Sequence, residues 1–201
     1  SDRKNVAIAA QSEAFSPNWL PGSDLFVFDA RVNNVPQVFM ASANGGSATR
    51  LTNTQARASE PAWRRDGGRI AYAADVAGKI NIFTMNASGA DTRRVTDEAQ
   101  FGGHPAWSPD GAHLVYECGL GDSREICMIQ TDGGERVTLT NNGVADTHPA
   151  WSPDGRWIVF VRQRAGHGSY NLVFYDVFAK AETMYVVGKP VVNTPAWLPN
   201  Q

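Results

Sequence analysis

Hydrophobic and polar residues alternate along this chain in short runs, and the runs return at a fixed interval. Over residues 105–148 they read PAW, HLVYEC, EICMIQ and RVTLT, with SPDG, GLGDSR and TDGGE between them. Alternating, aromatic and β-branched stretches bounded by Gly, Asp and Asn predict strands joined by turns, and no segment carries a helical stripe. The fold expected is all-β.

The interval can be measured on the tryptophans. Trp19, Trp63, Trp107, Trp151 and Trp197 are separated by 44, 44, 44 and 46 residues. Pro17, Pro61, Pro105 and Pro149 keep the same step, as do the aromatics Phe28, Tyr72, Tyr116 and Phe160, the threonines Thr52, Thr96 and Thr140, and the turn glycines Gly45, Gly89 and Gly133. A period in the low forties is the length of one four-stranded propeller blade. The sequence therefore predicts a single β-propeller domain over 1–201, with full repeats at 17–60, 61–104, 105–148 and 149–194 and partial strands at 4–11 and 195–201. Within each repeat, Pro opens a strand where a missing N–H costs little. Trp fills the wedge between neighbouring blades, and Ser-Pro-Asp-Gly has the chemistry of a type I turn.

PAWSPDG at 105–111 and 149–155, PAWRRDG at 61–67, and the strands IFTMNASG and RRVT resemble the WD-like repeats of the TolB β-propeller family, over residues 17–194. Blade one departs from the pattern with PNWLPGS, and blade four has VFAKAE in place of a DGG-type turn. The resemblance implies a propeller of six blades, about 264 residues at this period, preceded by an α/β domain that is not expected in this sequence. VAIAA near the N-terminus lies in the register of a fourth strand, and PAWLPNQ at the C-terminus is a first strand only. Three arrangements stay open: a small ring of four or five blades, a piece of a larger propeller, or an open array completed by another copy, the last two predicting self-association.

Charge and composition narrow the partners. With 18 Lys+Arg against 20 Asp+Glu and a pI near 6.1, the chain offers no basic stripe, so nucleic acid is not an expected partner. No run approaches the ~18 apolar residues of a membrane helix, and the N-terminal stretch does not read as a signal peptide. Cys118 and Cys127 flank the turn GLGDSR, and on paired strands they are placed for a cross-strand disulfide; two buried free thiols are the other reading.

Catalytic signatures are few. G-x-S-x-G, HExxH, a P-loop and an EF-hand loop do not occur in the sequence. Asp66, Asp110 and Asp154 are expected to be turn formers. The residue before each Pro of the first strand is more informative: Glu60, His104, His148 and Thr194 share one register and would surround one mouth of a central channel. Glu60, His104 and His148 are ligand types for Zn, Mn or Fe, a divalent metal being the one cofactor the sequence raises. His167, in the long loop of blade four, and Phe101, the one aromatic in the loops entering these strands, complete the candidate binding set.

The expected function is a non-enzymatic scaffold for protein–protein interaction that binds through the loops around the channel mouth. TolB resemblance implies a periplasmic or extracellular protein. Two alternatives stand beside this reading: a metal-dependent lyase or hydrolase at the channel mouth, and a propeller fragment or engineered repeat protein that assembles with copies of itself.

Overall fold

The computed structural model describes residues 6–7, 13–99, 101–163, 170–185, 195 and 197. They contain four antiparallel four-stranded sheets with strands in chain order, consecutive except in the first, where the short strand Gly46–Ser47 intervenes. Two compact units hold two blades each, Ser1–Asp97 and Glu98–Gln201.

Blade one consists of Ala14–Trp19, Leu25–Val32, Val35–Ser42 and Thr49–Arg50, and blade two of Ala58–Trp63, Ile70–Val76, Lys79–Met85 and Arg93–Arg94. In the second unit, blade three consists of Gly102–Trp107, His113–Cys118, Glu125–Gln130 and Val137–Thr138. Blade four consists of Asp146–Trp151, Trp157–Gln163, Tyr170–Asp176 and Ala181–Tyr185. Each first strand begins three residues ahead of its Pro, so the sheet boundary precedes the boundary read from the motif.

Two recurring letters have one cause. In every blade the first strand slips by one residue against the second: pairing passes from Phe15–Asp29 to Asn18–Val27, from Ser59–Ala73 to Ala62–Ala71, from Gly103–Glu117 to Ala106–Val115, and from Thr147–Val161 to Ala150–Val159. The slip is a β-bulge, a place where Pro removes no ladder bond. Opposite it stand Phe28, Tyr72, Tyr116 and Phe160, the periodic aromatics.

The periodic threonines close the outer edge. Thr52, Thr96 and Thr140 are buried, and each accepts an N–H at 2.9 Å, from Val38, Ile82 and Ile126 respectively. Each hydroxyl then donates to the residue before, at 3.0 Å to Gln37, 3.0 Å to Asn81 and 2.6 Å to Glu125. A side chain thereby prolongs the pairing of a two-residue strand.

Trp fills the space between blades of one unit. In the first unit Trp63 joins Val27, Val38 and Leu51 of blade one and Ile70, Tyr72 and Met85 of its own blade in one buried cluster, and its backbone N–H donates to Asn18 Oδ1 at 2.8 Å. In the second unit Trp151 packs on Val115, Ile126, Ile158, Phe160 and Val173. Trp197 repeats the arrangement on blade four, donating from Nε1 to the Ala150 carbonyl at 3.3 Å and meeting Phe174 edge-on at 5.9 Å. Beside it Trp157, Leu172, Phe174, Thr183 and Tyr185 line a cleft of about 480 Å³.

Turn chemistry follows the letters. Ser108 and Ser152 donate to Asp110 and Asp154 and accept the N–H of His113 at 2.9 Å and Trp157 at 2.8 Å. These hydroxyl bonds hold both carboxyls below the usual aspartate range. Gly89 cannot be replaced freely, since at φ +83° a Cβ would lie 2.6 Å from the Leu51 carbonyl oxygen.

At the N-terminal end, Val6–Ala7 pairs in parallel with Gly46–Ser47, in place of a fourth-strand register. Of the C-terminal partial strand only Pro195 and Trp197 are described, and neither is in a strand. No helix among the described residues is long and apolar enough to cross a membrane.

Candidate functional site

The residue before each first-strand Pro sits on the bulge in a left-handed backbone. Ser16, Glu60, His104 and His148 have φ of 50°, 57°, 48° and 55°. For a residue with a side chain this region costs roughly 1–2 kcal/mol, and every blade accepts the cost.

A carboxylate from the second strand of the neighbouring blade braces the backbone. In the first unit Asp29 Oδ1 accepts the Glu60 N–H at 3.1 Å, and the same carboxylate accepts the hydroxyl of Ser16. Burial pushes the Asp29 carboxyl up, and these two bonds offset only part of that rise. Glu60 also pairs with the Arg57 guanidinium.

The second unit holds the same arrangement with different chemistry. Glu117, fully buried, accepts the His148 N–H on Oε1 at 2.9 Å and the Arg124 guanidinium on Oε2 at 2.8 Å. The same Oε1 lies 3.0 Å from His104 Nδ1 and 3.8 Å from His148 Nδ1. The two imidazole centroids are 4.4 Å apart, and the donor atoms of His104, Glu117 and His148 all lie within 4.8 Å of one another. Burial pushes the Glu117 carboxyl up; the bond to His104, its charge, the His148 N–H and Arg124 outweigh burial and hold it below the usual carboxylate range.

Glu117 is supported from the adjoining hairpin. Arg124 belongs to the loop between the second and third strands, which Cys118 and Cys127 close with a disulfide across 5.9 Å between Cα atoms. The two cysteines are diagonal rather than directly opposite, because Cys118 pairs with Glu125 and Cys127 with Tyr116. Arg124 also gives its carbonyl to the Asp146 N–H at 2.8 Å, one residue after Ala145 and two before His148.

Of the residues expected at this site, His104 and His148 are brought together. Glu60 lies in the first unit with Arg57 and Asp29, and within the second unit Glu117 is the carboxylate beside the two imidazoles. Phe101 is half-buried, its carbonyl accepting the Gly119 N–H at 3.2 Å. His167 and Thr194 lie outside the described residues. Glu117 and Asp29 left a signal in the sequence, since each is the one acid within an apolar second strand, LVYEC and FVFDA, and they stand 88 residues, two repeats, apart.

The model of the TolB β-propeller domain matches residues 1–201. The chain belongs to the TolB β-propeller family. Among solved structures, TolB from Acinetobacter baumannii matches at a TM-score of 0.74 and 20% identity, covering 86% of this chain and 43% of that one. A putative TolB from Agrobacterium tumefaciens matches at 0.72 and 20%, covering 87% of this chain and 66% of that one. This TolB-family chain thus spans less than two thirds of either. A nidogen/laminin complex matches at 0.64 and 11%, covering 86% of this chain and 79% of that one. At these identities the likeness is one of fold. No curated protein sequence matches.

Proposed function

We propose that this TolB-family chain is a non-enzymatic scaffold for protein–protein interaction, binding at the end of the blades where the first strands begin, in a periplasmic or extracellular setting. One observation carries the reading. The turn at the far end of each first strand uses the same Asp-Gly pair in blades two, three and four, Asp66-Gly67, Asp110-Gly111 and Asp154-Gly155, as a structural job requires. The bulge has the same backbone in every blade, yet its side chains are Ser16, Glu60, His104 and His148. Glycine would relieve the left-handed strain, so retaining four polar side chains of three kinds favours a role for the side chains themselves. The disulfide fits an oxidising compartment. The TolB family commonly provides interaction scaffolds, and one structural neighbour is itself captured in a protein complex, nidogen with laminin.

Photo-crosslinking tests the reading. Benzoylphenylalanine placed at Glu60, Phe101 or His148 is expected to give discrete protein adducts in a cell-envelope extract, and placed at Asp66, Asp110 or Asp154 to give none. Equal adducts from both ends of the strands would refute it.

A second reading, association of copies, is favoured by Phe15 and Trp19, 45% and 54% exposed on blade one. Sedimentation velocity across a concentration series decides it. A Trp19→Ser variant is expected to associate less, and a wild-type chain that stays monomeric contradicts it.

A further inference from the structure

We propose that His104, Glu117 and His148 bind a divalent transition metal ion of the Zn²⁺ class. Two imidazoles and a carboxylate are a borderline donor set, suited to Zn²⁺ and its first-row neighbours and poorly suited to Mg²⁺ or Ca²⁺, which take oxygen donors. The donors face one point: Nδ1 of each imidazole lies near the same Glu117 Oε1, at 3.0 and 3.8 Å. Tetrahedral zinc with bonds of about 2.0–2.1 Å holds its ligands roughly 3.4 Å apart. The donor atoms, all within 4.8 Å of one another, reach that spacing by small side-chain rotations.

The groups behind the donors are those a metal site needs. Arg124 engages Glu117 Oε2 at 2.8 Å and the His148 N–H engages Oε1 at 2.9 Å, so the carboxylate is oriented before any ion arrives. The left-handed bulges fix the Cα atoms of both histidines. The imidazole side chains are 30% and 32% exposed, while both Nδ1 atoms and the carboxylate are buried, so an ion reaches the donors as the histidine side chains rotate. Arg124 places a positive charge near the ion, but on the far oxygen, where it also neutralises the carboxylate in the ion's absence. Three protein ligands leave one position for water or for a group from another molecule.

Competition titration of the full chain with a chromophoric zinc chelator, supported by metal analysis after gel filtration, tests the proposal. One Zn²⁺ per chain is expected, undisturbed by excess Mg²⁺. His104→Ala and His148→Ala are each expected to weaken binding by about tenfold or more, and His113→Ala, a histidine at the start of a second strand, to leave it unchanged. Circular dichroism reports whether each variant folds, and His104→Gln and His148→Gln give the same comparison with less loss of packing. Less than one bound Zn²⁺ in the wild-type chain, or affinity unchanged in folded variants at both positions, would overturn it.

Discussion

Ser16, Asp29 and Glu60 of the first unit and His104, Glu117 and His148 of the second occupy the same three places of the repeat, each pair 88 residues apart. Their backbones agree: bulge, left-handed φ and a carboxylate accepting the next blade's N–H recur in both. Their chemistry does not. Asp29 faces a hydroxyl and an amide, and its burial is only partly offset. Glu117 is one methylene longer, lies between two imidazoles, and has a guanidinium on its second oxygen. The hairpins differ in step with this. Blade one turns from its second to its third strand through Asn33-Asn34, both at positive φ, the two-residue turn that matches strand twist. Blade three spends residues 119–124 on the same connection and fastens it with a disulfide, and from that longer loop Arg124 reaches Glu117. An added loop and three substitutions turn a brace for the backbone into a cluster of potential ligands.

Removing each carboxylate gives the largest expected difference. Glu117→Ala strands the His148 N–H, His104 and the Arg124 guanidinium and is expected to cost about 3–5 kcal/mol, the range for breaking a buried pair. Asp29→Ala strands an amide and a hydroxyl, for about 1–3 kcal/mol. Urea denaturation of both variants measures the gap, and equal losses would erase the distinction between the units.

Reducing the disulfide comes next. The loop it closes is short, and opening it is expected to cost about 2–3 kcal/mol. Cys118→Ser with Cys127→Ser, compared with wild type with and without Arg124→Ala, shows whether the loss passes through the Arg124 contact. Additive losses would separate the disulfide from Glu117.

Acid titration should sort the two carboxyls in opposite directions. Glu117 is depressed when folded, so it contributes stability above the usual glutamate value, lost as pH falls through the folded value. Asp29 is raised, so its contribution is present below the usual aspartate value and is lost as pH rises through the folded value. Carboxyl carbon shifts followed by NMR check both signs.

The smallest effect concerns the strain that the units share. At Ser16, Glu60 and His148 a Gly variant is expected to be more stable than the Ala variant by about 0.5–1 kcal/mol, the relief of left-handed strain less the added freedom of the unfolded chain. In an ordinary strand the order is the reverse.

Much of this was legible in the sequence because propeller geometry enforces it locally. Trp63 and Trp151 are where the 44-residue step puts them, and the recurring Pro and the aromatic set stand on opposite sides of one bulge. The period could not show which acid meets the histidines. Equal register groups Glu60 with the histidines, whereas Glu117 stands in another register, on a second strand, and meets His104 of its own blade and His148 of the next. Asp146 is buried against a bidentate Arg162 at 2.8 Å; the same strand pairing recurs as Ala14–Ala30, Ala58–Ala74 and Gly102–Cys118, and blade four is where it carries opposite charges. Val6–Ala7 shows the limit of motif phase, since it pairs in parallel with the two-residue strand Gly46–Ser47.

Crystals of the full chain grown with zinc, with diffraction recorded on both sides of the zinc absorption edge, address the central claim most directly. The account predicts one anomalous peak per chain within bonding distance of His104 Nδ1, His148 Nδ1 and Glu117 Oε1. A peak elsewhere, or none while Glu117 keeps only its protein partners, would contradict it.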